Sequence, residues 1–392
     1  LVPLASTSAL AISAEARELH LRSTVVDTHA DTTQRLVSDS FDLGARQTDG
    51  SVDIPRMREG GVGALFFAIW VPGSVRGADA VRRAVEQIQA VRRHAEMHPS
   101  DLVLSRTAED IRRARAAGRI AVLMGIEGGH MINGDLDVLE RYAALGARYM
   151  TLTHAVNTEC ADASTDKPVH NGLSSFGAHV VRDMNRLGMA VDVSHVSDKA
   201  FDDVLGVSRA PVFASHSSCR ALCDSPRNLS DPMIRALAAK GGVMQINFHV
   251  GFLSQEFRRA EQTHPELHVE VVAKAKDRCG ENEACKILES GKMIREYVAK
   301  GRFPRVEWTK IVDHIDHAAR IAGVEHVGLG SDFDGACMPY GMEDVSALPQ
   351  ITEALLGRGY SEVDIQKILG GNTLRFLEDV VSAAEQVRGT TV

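Results

Sequence analysis

Eight short apolar runs, separated by longer amphipathic stretches, constrain this 392-residue chain more than any other feature. The runs are TVVDTHAD (24–31), VGALFFAIW (62–70), IAVLMGIEG (120–128), ARYMTLTHA (147–155), MAVDVSH (189–195), PVFASHSS (211–218), GVMQINFHV (242–250) and HVGLGSDFDG (326–335). Each has the length of a strand. Most are apolar nearly throughout, as parallel strands covered on both faces are. The stretches between them read as helices. ADAVRRAVEQIQAVRRHAEM (78–97) places apolar residues at helical spacing, and TAEDIRRARAAG (107–118) opens on a Thr N-cap with Asp110 three residues on. GAHVVRDMNRLG (177–188), SDKAFDDVLG (197–206) and SDPMIRALAAKG (230–241) each finish at a Gly, and WTKIVDHIDHAARIAG (308–323) is a further helix. Eight strands alternating with helices predict a (β/α)8 barrel in one domain, 1–392, with an open doubly wound sheet as the competitor. Residues 1–23 read as a leading helix and 361–387 as closing helices. The stretch 251–307 is too long for a simple connection and predicts added helices over one end of the barrel, before the last strand.

Composition excludes several roles. Lys plus Arg is 44 against 52 Asp plus Glu, a net charge of −8 with no basic run, which argues against a nucleic-acid surface. No apolar run approaches the roughly 18 residues that span a bilayer. The chain opens on Leu1, and LVPLASTSALA reads as what remains near a signal-peptide cleavage site, or as a scar. Cys279 and Cys285 lie close together in the polar segment DRCGENEACK. A disulfide there suits an exported protein, with two free thiols the alternative. Export, periplasmic or secreted, is favoured over the cytoplasm.

The polar residues fall at the ends of the runs. His29 and Asp31 end the first, Glu127 the third, His154 the fourth, His195 the fifth, His216 the sixth, and Asp332 and Asp334 the last. In a barrel these ends share one face, where barrel active sites are built. A lone His at a strand end is usually a hydrogen-bonded loop residue, and an Asp there can cap the next helix. Gathered together, imidazoles and carboxylates at the ends of buried strands cost too much desolvation to leave unpaired, and a metal cluster removes that cost. Imidazole plus carboxylate, without clustered thiolates, suits zinc, with manganese, iron or cobalt as alternatives. His29, Asp31, Glu127, His195 and His216 are too many for one catalytic ion with an open position and suit two ions sharing a carboxylate. Hydrolysis is the natural chemistry. His94, His98, His314 and His317 read as solvated helix faces. His130, His170, His179 and His249 join no constellation, with His249, near the end of the seventh run, held in reserve.

The stretches DTHAD (27–31), GIEGGH (125–130), RYMTLTHAVNT (148–158), VDVSHVS (191–197), FASHSSCRALCDSPRN (213–228) and VGLGSDFDG (327–335) together resemble the membrane (renal) dipeptidase family of amidohydrolase-type metal barrels. The resemblance implies a binuclear zinc dipeptidase. It assigns His29 and Asp31 to the first zinc, Glu127 to both, and His195 and His216 to the second. It implies that His154 stabilises the oxyanion, that Arg227 pairs with the substrate's terminal carboxylate, and that Asp332, rather than Asp334, is the general acid/base. Tolerance of a D-residue at the C-terminal position, L-Xaa-D-Xaa, is implied too. The chain departs from the family in NFHVGFLS, where Phe252 stands in place of an aromatic hydroxyl. The alternatives are a barrel hydrolase of N-acyl amino acids, lactones or phosphoesters, and a metal-bound, catalytically silent peptide-binding protein. The expected partner is a small dipeptide substrate, with no nucleic acid and no membrane span. The assembly is left open, a homodimer being one option.

Overall fold

Every strand pairing in the computed structural model, which describes residues 12–38 and 40–389, is parallel. The strands are β1 (Val25–Ala30), β2 (Val62–Trp70), β3 (Leu102–Leu104), β4 (Ile120–Glu127), β5 (Ala147–Thr151), β6 (Ala190–Asp192), β7 (Val212–Ser217), β8 (Val243–Ile246) and β9 (Val327–Leu329). All eight runs contain a strand. The order β1-β2-β4-β5-β6-β7-β8-β9 closes where Asp27 of β1 pairs with Leu329 of β9. The expected barrel is therefore the fold. The ninth strand, β3, falls outside the runs because three residues make no visible pattern. β2 occupies one edge of β4 from Ala121 to Glu127. On the other edge β3 takes Ile120–Val122 and β5 takes Met124–Glu127. β3 thus lies beside the lower half of one stave and adds no ninth stave.

Strand parity explains the apolar runs. On β2, Leu65, Phe67 and Ile69 pack outward into one cluster with the helices, while Ala64 and Phe66 belong to a second. β4 divides the same way, Val122, Met124 and Ile126 against Ala121 and Leu123. The second cluster fills the barrel with Val26, Phe66, Leu123, Tyr149, Phe213 and Val243, and Phe376 of the closing helix stacks on Phe213 at a centroid distance of 4.8 Å. Both faces of most strands are buried, so apolar residues dominate them and a polar side chain there needs a hydrogen-bond partner.

Local signals set the helices. Thr107 and Asp110 form the expected capping box of Ala108–Ala116, Gly188 ends Ser175–Leu187 in the left-handed conformation, and Ser197 caps Asp198–Val207. Gly206 does not end that helix, which runs one residue past it to Val207, with Ser208 as its C-cap. Ser230 precedes Asp231–Ala239 without a side-chain capping bond. The leading helix is Ala14–Arg22; its expected first part, with LVPLASTSALA, lies outside the described residues. Glu362–Gln366 and Asn372–Gly389 are the closing helices.

The helical histidines depart from expectation. His94, His314 and His317 are buried rather than solvated. His314 and His317 share the packed face of Thr309–Ala322 with Ile311, Ile315 and Ala318. His314 accepts from the Cys219 N–H and donates to the Leu253 carbonyl, and His317 meets Asp231 at 2.7 Å. Three-residue spacing alone does not tell a wet face from a dry one when the polar groups are locally satisfied. His98 lies at a helix end against Asp42, at 2.9 Å.

The long segment before β9 forms Val250–Leu253, Gln255–Thr263, Pro265–Cys279 and Glu283–Ala299, with its own apolar cluster around Phe257, Leu267, Val271, Met293 and Tyr297. Cys279 and Cys285 form a disulfide across its tip. This helical lid covers the end of the barrel where the strands finish, because Ile287, Ser290 and Ile294 line the same cavity as Glu127 and His216.

Candidate metal centre

Glu127 is the last residue of β4 and stands at the middle of the polar cluster. Its two carboxylate oxygens face different partners. Oε2 lies 3.5 Å from His29 Nε2, which is itself 3.5 Å from Asp31 Oδ2. Oε1 lies 3.0 Å from His195 Nε2 and 3.3 Å from His216 Nε2. His154, in the loop after β5, is farther, at 3.9 Å from Oε1. The five expected ligands thus divide into two sets that meet at one carboxylate. Asp332 joins the His29–Asp31 set and His154 the His195 set as further candidate donors.

Buried residues beneath the cluster aim it. Tyr149 crosses the barrel interior, and its hydroxyl lies 2.9 Å from His29 Nδ1. The ring has room only because residue 125 is glycine, where a Cβ would sit 1.9 Å from the ring. Two residues beyond Tyr149, Ala190 and Phe213 come Thr151, Asp192 and Ser215, pointing the same way. Asp192 accepts from both hydroxyls and from the Ser194 and Ser215 N–H groups. Ser215 Oγ in turn lies 2.7 Å from His216 Nδ1, which leaves Nε2 to face Glu127. Asp27 does similar work across the barrel seam by accepting from the Ser331 hydroxyl and N–H. Asp192, Tyr149 and Asp27 were not singled out from the sequence. An acid inside an apolar run, as in AVDV and VVDT, is the signal that would have found two of them.

The chemistry of this donor set fits a divalent cation. Glu127, Asp31 and His29 are almost wholly removed from water. Burial pushes the Asp31 carboxyl up to about 8, partly offset by its contact with His29. Burial also pushes Glu127 upward, but the surrounding imidazoles of His29, His154, His195 and His216 outweigh it and hold that carboxyl well below its ordinary range. Burial, with Arg227 nearby, holds His195 well below its usual value, and burial lowers His216 too, so both are neutral donors at pH 7. His29 Nε2 and His195 Nδ1 have no hydrogen-bond partner. Burial alone would lower His29, but Tyr149, Glu127 and Asp31 outweigh it and hold that imidazole well above its usual value, so it carries a proton where a cation would stand beside the acids.

The remaining expected residues surround the cluster. Asp332 Oδ2 accepts from Asn247 at 2.9 Å, and its carboxyl faces the cavity. Asp334 turns away and accepts from Thr32 and the Ser51 N–H, both at 2.6 Å, tying the loop after β1 to its neighbours. Of the two aspartates, Asp332 is thus the one that lines the cavity. Arg227 is buried and donates to the His216 carbonyl at 3.1 Å, and its Nε is unpartnered. Its guanidinium carbon stands 5.3 Å from the centre of the Phe252 ring. Burial lowers its pKa to about 10, which leaves it cationic at neutral pH. The cavity holds about 510 Å³ and is lined by the cluster, Trp70, Arg227, Phe252, His249 and the lid. His249, held in reserve, is thus a wall residue; His130 is buried against the Val71 carbonyl and does not line the cavity.

The profile of the membrane dipeptidase family, peptidase family M19, matches residues 13–390. The chain belongs to the membrane dipeptidase family. Dipeptidase 3 of Mus musculus is 34% identical over 348 residues, covering 87% of this chain and 60% of the mouse protein. The chain thus spans about three-fifths of that relative. Dipeptidase aclJ of Aspergillus oryzae is 35% identical over 353 residues, covering 87% of this chain and 72% of its own. A solved structure of a metallopeptidase from Rhodobacter sphaeroides, liganded with a phosphinate mimic of the dipeptide L-Ala-D-Ala, superposes with a TM-score of 0.75 at 26% identity. That superposition covers 91% of this chain and 99% of the other.

Proposed function

We propose that this member of the membrane dipeptidase family is a two-metal dipeptidase, with zinc the ion its donors suit best. The observation that carries the reading is the division of the Glu127 carboxylate, Oε2 toward His29 and Asp31 and Oε1 toward His195 and His216. Manganese, iron and cobalt are accepted by the same donor types. Bound there, two divalent ions supply Lewis acidity and an acidified water for hydrolysis.

The chain's own residues supply the rest. Asp332, anchored through Asn247, takes a proton from the attacking water and passes it to the leaving amine, which departs poorly unprotonated. His154 is held with its ring against Trp70 and donates to the oxygen on which charge develops. Arg227 pairs with the terminal carboxylate through a planar fork, and so measures the substrate's length. A dipeptide places its carboxylate there while its one peptide bond faces Glu127; a longer chain does not. The R. sphaeroides relative's ligand supports acceptance of L-Xaa-D-Xaa as well as L-Xaa-L-Xaa. The Cys279–Cys285 disulfide supports export to an oxidising compartment.

The test is metal analysis combined with turnover on L-Xaa-L-Xaa and L-Xaa-D-Xaa dipeptides and N-acyl amino acids. Two ions per chain and dipeptide hydrolysis are expected. Faster turnover of N-acyl amino acids would assign the site to another carboxylate-bearing amide. Metal without turnover would leave a peptide-binding protein. Arg227→Met should lower kcat/KM for a dipeptide far more than for its C-terminal amide, by on the order of 2–4 kcal/mol. Equal losses would make Arg227 a loop support only.

A further inference from the structure

The carboxylates lining the cavity, among the described residues, are Asp31, Glu127 and Asp332. All three belong to the cluster of candidate metal donors. The lid wall is of the opposite character. It contributes Arg258 from Gln255–Thr263 and Lys286 from Glu283–Ala299, set among Phe252, Ile287 and Ile294. Arg258 Nε donates to the Asp224 carbonyl at 2.7 Å. Asp224 lies three residues before Arg227 in the same loop, so Arg258 is tied to the end of the cavity where Arg227 stands. That bond uses one of five N–H donors on its guanidinium. Lys286 Nζ meets Glu283 at 2.9 Å, which steadies the ammonium and leaves two of its N–H groups. The neighbouring Cys285, bonded to Cys279, staples the first turn of this helix to the rest of the lid.

We infer that Arg258 and Lys286 form a subsite for an acidic side chain on the C-terminal residue of the substrate. The inference deepens the dipeptidase reading and rests on it. With Arg227 engaged by the α-carboxylate, a second carboxylate on the same residue meets two cations, and Glu283, the acid already paired with Lys286, is not among the residues that line the cavity. The apolar neighbours Phe252 and Ile287 suit the methylene stem of Asp or Glu. An uncharged side chain of the same shape forgoes both charge contacts, and a cationic one is repelled.

Matched substrates read this directly. The ratio of kcat/KM for L-Ala-L-Asp to that for L-Ala-L-Asn, and the same ratio for the D-residue pair, should be at least about fivefold, as expected of two partly exposed charge pairs. It should shrink as salt is raised, because partly exposed charges are screened. In Arg258→Gln/Lys286→Gln the ratio should fall toward one, and in Lys286→Glu it should fall below that of the parent. Each ratio is internal to one protein, so a change in overall activity does not mimic it. A parent ratio near one overturns the subsite, and so does an unchanged ratio in the variants. The parent measurement decides alone if the variants do not fold. L-Ala-L-Ala separates the two readings: no turnover of it, or of any dipeptide, sinks the dipeptidase assignment, whereas its turnover without acid preference sinks only the subsite.

Discussion

Asp332 and Gly335 show how little freedom single residues have at this site. Asp332 has a positive φ of 66°, as do His195 at 69° and Asp334 at 63°. Backbone of this kind is uncommon outside glycine and persists only where the surroundings hold it. For Asp332 those surroundings include its N–H bond to the His29 carbonyl and the Asn247 amide on its carboxylate. On the proposed reading, Asp332→Asn keeps the shape and removes the proton carrier. Metal content should hold while kcat drops by on the order of a hundredfold or more. A lost ion in elemental analysis would instead make Asp332 a ligand, a role its place beside His29 and Asp31 also permits. Gly335 is fixed by space. A Cβ there would lie 2.0 Å from Asp31 Oδ2 and 2.6 Å from Asp332 Oδ1. Gly335→Ala should therefore displace both carboxylates and weaken metal affinity by about 10–100-fold, as disturbed support of a ligand does. Competition against a chelating dye measures it, and unaltered affinity would mean the loop yields.

At the scale of elements, the leading helix Ala14–Arg22 depends on one buried imidazole. His20 lies 2.7 Å from the Thr352 hydroxyl and 2.8 Å from the Gly60 carbonyl. Burial lowers its pKa from 6.5 to about 4. Between these values the unfolded chain binds a proton that the folded chain refuses. Stability is therefore full above pH 6.5 and is lost as pH falls toward 4, with a slope of up to about 1.4 kcal/mol per pH unit for this group. His20→Gln should be less stable than the parent at pH 7 yet show a shallower acid slope in denaturant unfolding; parallel slopes would remove His20 from the account. The elements themselves were largely legible. Runs buried on both faces announce strands, and Thr107 with Asp110 announces a helix start. β3 was not legible, because three residues carry no periodicity. The dry faces of His314 and His317 were hidden because their partners, Cys219, Leu253 and Asp231, are distant in sequence.

The whole molecule gathers its candidate donors from β1, β4 and β7 and from the loops after β1, β5, β6 and β9. Their placement at run ends made them readable, since a barrel sends all strand ends to one face. What supports them was not, because Tyr149, Asp192 and Asn247 act through contacts across the barrel that spacing does not encode. On the two-ion reading, the metal binds only the closed barrel. Saturating zinc should then raise stability by about 4 kcal/mol at a thousandfold excess over Kd, seen as a higher Tm that chelation reverses; a Tm indifferent to zinc and chelator would detach the ions from the fold.

The seam between β1 and β9 has a consequence for how such a protein is made. A ribosome releases His29 and Asp31 some three hundred residues before the partner strand β9. Between those moments the first strand has no neighbour on that side, and Asp27, its carboxyl destined for Ser331, is exposed to water. Emerging chains therefore present isolated histidines and acids, not a chelate. On the two-ion reading, the full set of donors exists only once that strand has arrived and the ring has shut.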